Sequence, residues 1–236
     1  MKSRERDLTG EACSRIKQMI LSYDLRPGQK LEHQALSDRL GMSRTPVREA
    51  LGRLTEEGFV TRVPHKGYFV AEITEAEAKE LFELREYLEL YSVDKAIKNR
   101  TDDDLKKLRE ILGSYKEAIS LGVSRQMFLV DENFHLKLAE IADSAMLKRI
   151  LTTIFEKIIM KRAVEGISSM SGLSSYRRHL KILKAIEKRD VREARKQIRE
   201  HVQAGQQAVL EQIGQRKQFM AAARLEGQAI DSRGLR

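Results

Sequence analysis

Between Leu8 and Ser22 the apolar residues Ala12, Ile16, Met19 and Ile20 fall on one face of a 3.6-residue period, which predicts a first helix. Arg26-Pro27-Gly28 interrupts it. A second, short helix is expected from His33 to Leu40 and is stopped by Gly41, since glycine accepts the left-handed backbone needed just past a helix end. Ser43 is placed to cap a third helix whose first turn holds Pro46, where a missing N–H costs little. Val47, Ala50, Leu51 and Leu54 repeat at i, i+3, i+4 and i+7 and form its buried face, and Gly58 ends it. Phe59-Val60-Thr61-Arg62 and Tyr68-Phe69-Val70 read as two short strands around the turn Pro64-His65-Lys66-Gly67.

After Ile73 the strand pattern disappears. Thr74-Glu75-Ala76-Glu77 and Thr101-Asp102-Asp103-Asp104 each have the form of a capping box, in which two side chains satisfy free helix N–H groups. Helical patterns follow at about 75–98, 102–120, 124–142, 145–165, 174–188 and 190–213, with the Ser/Gly-rich stretch 166–175 as the clearest loop. The expected architecture is mainly α. Residues 1–73 would form a winged helix-turn-helix of three helices and a small β-hairpin, and residues 74–214 an antiparallel helical bundle. The tail 215–236 would be frayed or continue the last helix.

Composition narrows the setting. The 236 residues are 41 % hydrophobic and 33 % charged with 3 prolines, which is globular, and no apolar run approaches the ~18 residues of a membrane span. The charged start MKSRERDLTG lacks the apolar core of a secretory signal. One cysteine, Cys13, allows no internal disulfide and no cysteine-based zinc cluster, so a cytoplasmic setting is expected. A net charge of +9 invites a polyanion, yet it is spread evenly over the chain, so local pattern has to locate a nucleic-acid surface.

Helix, turn through Gly41, and a helix beginning Ser43-Arg44-Thr45-Pro46 is the arrangement that puts a helix N-terminus into a DNA major groove. Arg44, Thr45 and Arg48 fan across the solvent side of its leading end. Arginine pairs bidentately with guanine, while hydroxyls and free N–H groups suit phosphates. His65 and Lys66 at the tip of the wing can reach a neighbouring backbone or minor groove. Solvated arginines on a small helical domain are the plainer alternative.

The stretch from Ile20 to Val70, above all Pro27-Gly28, Ser43-Arg44-Thr45-Pro46-Val47-Arg48-Glu49-Ala50-Leu51 and Glu57-Gly58, resembles the winged helix-turn-helix of the GntR family of bacterial transcription regulators. That resemblance implies base or phosphate contacts from Ser43, Arg44, Thr45 and Arg48, with the wing at His65, Lys66 and Gly67. Relatives use an arginine or polar residue near the start of the second helix, where this chain has Gln34.

In the second part, Asp131 and His135 are i and i+4 on one helix and share a face with Met127, Phe128, Phe134, Leu138 and Ala142. A carboxylate on an apolar stripe costs several kcal/mol unless it is paired or binds a cation. His179 sits among Tyr176, Ile182, Leu183 and Ile186, and His201 among Ile198, Ala204, Gly205 and Ala208. Each histidine alone reads as a hydrogen-bonded core residue. Together, the four groups on three helices are a donor set for a divalent metal: zinc by default, with nickel or manganese accepting the same ligands. An expanded shell would admit water or a small carboxylate. Arg85, among Leu81, Phe82 and Leu88, either pairs with Glu89 one turn on or clamps such a carboxylate.

Residues 75–213 also resemble the FCD ligand-binding domain of FadR-type GntR regulators, through "LFELREYLE", "DENFH" and "RRHLKILKAIEKRDVREARKQIREHV". This implies Asp131, His135, His179 and His201 as metal ligands and Arg85 as an effector contact. The usual S-x-N after the Asp/His helix is replaced by Asp143-Ser144-Ala145-Met146, so the effector does not carry over. The expectation is a homodimeric repressor that reads a pseudo-palindromic DNA operator and responds to a small carboxylate. The competing class is a metal-dependent hydrolase with a DNA-binding head, in which Glu89 is the best candidate for the general base.

Overall fold

The computed structural model describes residues 2–122, 124–161 and 169–231. Its elements run α1 (Lys2–Leu21), β1 (Lys30–Leu31), α2 (His33–Leu40), α3 (Arg44–Glu56), β2 (Val60–Val63), β3 (Gly67–Val70), α4 (Glu75–Asn99), α5 (Asp102–Ser120), α6 (Ser124–Ile141), α7 (Ala145–Lys161), α8 (Ser169–Glu187) and α9 (Val191–Asp231). They separate into two compact units. One comprises the chain up to Ile73 with the part of α7 from Thr152, and the other comprises Thr74–Leu151 with the later helices.

The first unit is organised by the predicted apolar stripes. Ala12, Ile16 and Ile20 of α1 and Val47, Ala50, Leu51 and Leu54 of α3 are wholly buried and share one core with Leu36, Leu40, Phe59 and Val70. Gly41 takes the left-handed conformation that ends α2, with φ 67°. Ser43 occupies the N-cap position of α3 but makes no capping bond with its side chain, a departure from the expected cap. The hairpin is shifted by one residue on its first strand, because Phe59 N–H stays bonded to Leu54 O at the end of α3. Val60 pairs with Val70 and Val63 with Gly67. A two-residue strand, β1, completes the antiparallel order β1-β3-β2, with Lys30 opposite Phe69.

The second unit is all α among its described residues. Both capping boxes form: Thr74 and Glu77 exchange bonds at the start of α4, and Thr101 and Asp104 at the start of α5. α4 lies against α9 and α6, and α5 against α6 and α8. The loop expected over 166–175 is corrected in part, since residues from Ser169 onward already belong to α8, while 166–168 lie outside the described residues. Packing overrides glycine's low helix propensity there: a Cβ on Gly172 would stand 2.6 Å from Met127 Sδ and 3.3 Å from Ile119 Cγ1, so a larger residue would require those side chains to shift. The last helix does not fray at Gly214 but continues to Asp231. Two arginines cap helices reciprocally. Arg100, just past α4, donates to the carbonyls of Ile186 and Glu187 at the end of α8, and Arg189, just past α8, donates to Ile97 O near the end of α4. No helix is long and apolar enough to cross a membrane, among the described residues.

Candidate functional site

α6 supplies Asp131 and His135 one turn apart, α8 supplies His179, and α9 supplies His201. The three imidazoles are at most 4 % exposed. All four residues aim one donor atom at a common point, the four atoms lying within 4.8 Å of one another. His135 Nε2 is 3.0 Å from His201 Nε2 and 3.2 Å from His179 Nε2. Asp131 Oδ1 is 3.4 Å from His179 Nε2 and 3.6 Å from His201 Nε2. Gly205, one turn beyond His201, keeps α9 close to α4: a Cβ there would meet the Phe82 ring at 3.1 Å.

The opposite edges of the rings fix which nitrogens carry protons. His179 Nδ1 is 2.9 Å from the carbonyl oxygen of Ser175, which only accepts, so Nδ1 holds the hydrogen. His135 Nδ1 is 2.7 Å from Glu89 Oε2, with the same consequence. Both Nε2 atoms then present lone pairs to each other. Arg85 Nη2, a donor, lies 3.4 Å from His201 Nε2, so a third lone pair points into the same space. Burial drives the His179 imidazole down to about pKa 4 against the opposing pull of Asp131, and drives His201 well below the usual range, so neither relieves the crowding by taking up a proton near neutral pH. Three lone pairs and a carboxylate oxygen converging without a proton between them suit a cation. Atoms bound to one ion at about 2.0–2.2 Å stand roughly 3.0–3.6 Å apart, the range of the two His–His and two Asp–His separations above, in a set that spans at most 4.8 Å. The donor set therefore fits a divalent metal.

Arg85 forms the intrahelical pair and also borders the cluster. Its Nε is 2.5 Å from Glu89 Oε1, the predicted intrahelical pair, and its Nη2 is 3.6 Å from Asp131 Oδ2, so the guanidinium borders the convergence point. Glu89 has a second partner that the sequence did not reveal. Only the Arg85 spacing could be read from the chain, whereas His135 reaches Glu89 from another helix. Burial pushes the Glu89 carboxyl upward, but Arg85 and then His135 outweigh it and hold it at about 2. Both oxygens of this carboxylate are thus engaged, one by Arg85 and one by His135.

In the first unit, Ser43, Arg44, Thr45 and Arg48 are all exposed at the leading end of α3, as the helical spacing predicted. His65 and Lys66 are exposed in the β2–β3 turn, with His65 at φ 60°, and Gly67, at φ 100°, is half-buried. Gln34 of α2 accepts a hydrogen bond from Arg44 Nε at 2.6 Å, a link between the two helices that the sequence alone did not assign. Glu49, on the same helix as Arg48, accepts from the buried Thr9 hydroxyl at 2.9 Å and so ties α3 to α1.

Comparison with known proteins bears on both units. Residues 8–70 match the family described as bacterial regulatory proteins, gntR family, and residues 80–204 match the FCD domain. The Nta operon transcriptional regulator of Aminobacter aminovorans is 33 % identical over 195 residues, covering 83 % of this chain and 91 % of the relative. The HTH-type transcriptional regulator McbR of Escherichia coli is 28 % identical over 78 % of this chain and 86 % of its own. The solved structure of E. coli McbR/YncC superposes with a TM-score of 0.74 at 27 % identity, covering 87 % of this chain and 97 % of that one.

Proposed function

This chain belongs to the GntR family of bacterial transcription regulators and carries an FCD domain, and from that premise we propose that it is a metal-containing, ligand-responsive regulator of an operator. Its relatives regulate transcription and are not enzymes, so the hydrolase reading is set aside. The DNA-contacting set is Ser43, Arg44, Thr45 and Arg48 at the start of α3, with His65, Lys66 and Gly67 on the wing. In a homodimer two copies of α3 read the half-sites of a short inverted repeat.

Asp131, His135, His179 and His201 hold the ion, zinc by default and nickel or manganese by the same ligand chemistry. The observation that carries this is the convergence of three imidazole nitrogens and one carboxylate oxygen on a common point, with Glu89 and the Ser175 carbonyl on the far side of His135 and His179. A bound divalent ion supplies concentrated positive charge that favours an additional carboxylate oxygen. Arg85, with its planar fork at the edge of the site, orients that carboxylate. The effector is thus a small organic acid. It changes operator affinity only by the difference between its affinities for the two states of the regulator.

The test is binding of the full chain to duplexes selected from random sequence, with and without zinc, in the presence of a panel of small carboxylic acids. The expected result is selection of an inverted repeat whose binding is altered by an acid that is not consumed, in the metal-loaded protein alone. Binding indifferent to both metal and acids overturns the sensor reading.

A further inference from the structure

The outer face of α8 carries a row of cations with no counter-charge. Arg177, Lys181, Lys184 and Lys188 follow one another at i, i+4, i+7 and i+11, which keeps them within about 60° of arc on a 3.6-residue helix. All four are exposed, Lys188 standing one residue past the helix end. The opposite side of α8 carries His179, Ile182 and Ile186, each fully buried, so the row points directly away from the bundle interior. Between Ser169 and Arg189 the one carboxylate is Glu187, and Arg109 takes it at 2.6 Å. None of the four cations has an ion-pair partner among the described residues. Cations on the neighbouring α9 are treated differently: Arg195 pairs with Asp94, Lys196 with Glu200 and Arg199 with Glu86.

Like charges at i+3 and i+4 lie within reach of one another and repel, so the row gains from any partner that brings negative charge. A row this uniform suits a regularly spaced polyanion better than a folded acidic protein, whose carboxylates are placed by its own fold. From Arg177 to Lys188 it covers about 17 Å at 1.5 Å per residue, a length over which one strand of a duplex presents about five phosphates. The chain already binds DNA through its first unit, which holds duplex at high effective concentration around the second. We propose that this row is a second contact surface for duplex DNA, gripping the phosphates of one strand without reading bases. The inference rests on DNA binding by α3 but on neither the metal nor the effector. Lipid is the weaker match: Leu173 and Leu180, the large apolar side chains beside the row, are only 39 % and 41 % exposed, too little for a helix lying in a membrane interface.

Titration of the full chain against a random-sequence duplex across a salt series, followed by fluorescence anisotropy, tests this. Changing Arg177, Lys181, Lys184 and Lys188 together to glutamine removes the charge while keeping good helix formers on an exposed face. This variant is expected to bind about ten-fold or more weakly at physiological salt. Its salt slope should be shallower by about 2–4, at roughly 0.9 per phosphate contact. A selected operator duplex should lose affinity by the same factor, because phosphate contacts carry no sequence information. Changing the three lysines to arginine keeps the charge and is expected to leave both quantities at the wild-type level. In amine acylation read by mass spectrometry, Lys181, Lys184 and Lys188 are expected to label more slowly in the duplex complex than in the free chain.

An unchanged slope in the glutamine variant, or equal labelling with and without duplex, overturns the proposal. So does an arginine variant as weak as the glutamine one, which assigns the loss to helix packing. A glutamine variant that keeps full duplex binding but loses binding to phosphatidylserine vesicles gives the row to lipid instead. If Arg44→Ala loses sequence selection while the glutamine variant matches wild type, α3 stands as the reader and the row alone is removed.

Discussion

Glu89 holds His135 from behind. Its Oε2 lies 2.7 Å from His135 Nδ1 while its Oε1 lies 2.5 Å from Arg85 Nε, so one buried carboxylate fixes both a ligand imidazole and the guanidinium at the edge of the site. Glu89→Gln cannot satisfy both. If its amide oxygen faces His135, its NH₂ opposes Arg85, and in the reverse orientation the NH₂ forces His135 into the tautomer whose Nε2 carries a proton. Zinc affinity, measured by competition with a chromophoric chelator, is expected to fall about 10–100-fold. Unchanged affinity would show that His135 does not depend on this contact.

Arg44 and Gln34 form a second linked pair, at 2.6 Å across the helix-turn-helix. Arg44→Ala is expected to weaken specific DNA binding by roughly 1–3 kcal/mol, and Gln34→Ala by less, since Gln34 only aims the arginine. Titration of the selected duplex by fluorescence anisotropy checks both. An Arg44→Ala protein that binds as tightly as wild type removes Arg44 from the interface.

The fork of Arg85, rather than its charge alone, is the feature suited to a carboxylate. Arg85→Lys keeps a cation beside Glu89, which avoids stranding a buried charge, but loses bidentate geometry. Thermal stabilisation by the responsive acid should disappear in this variant while metal content stays at the wild-type level. A full thermal shift in Arg85→Lys would contradict the clamp.

Acid sensitivity has a separate source. Glu140 accepts from Lys137 and Lys148, each at 2.8 Å, and these bonds lower its carboxyl to about 2. Because the folded value is below the ordinary one of 4.5, its contribution is complete above pH 4.5 and is lost as pH falls toward 2. Glu140 is half-exposed, so solvent screening keeps that contribution under about 1 kcal/mol. Urea unfolding of Glu140→Gln and wild type should differ at pH 6 and converge as pH falls through 3. A difference independent of pH would assign the effect to packing.

Much of this arrangement is legible in the chain because it obeys short-range periodicities. The stripes Ala12-Ile16-Ile20 and Val47-Ala50-Leu51-Leu54 are buried as spaced, and both T-x-x-acid sequences form capping boxes. Asp131 and His135 meet because i and i+4 stack on a helix, and the inward positions of His179 and His201 follow from their apolar neighbours. What escapes is whatever another element decides. β1 has two residues, too few to show an alternation, and exists because β3 offers it an edge. Gly172 reads as loop chemistry until Met127 and Ile119 are seen against it. The second use of Glu89 and the bond from Arg44 to Gln34 each require knowing which helices face one another.

In the proposed function, three imidazoles and an aspartate hold a divalent ion inside the second unit. Elemental analysis of full-length protein, stripped with chelator, reloaded with zinc and freed of excess, tests it directly when run beside His179→Ala. One equivalent per chain is expected in wild type and a clear loss in the variant. No retained metal in wild type, or the same stoichiometry in His179→Ala, would contradict it.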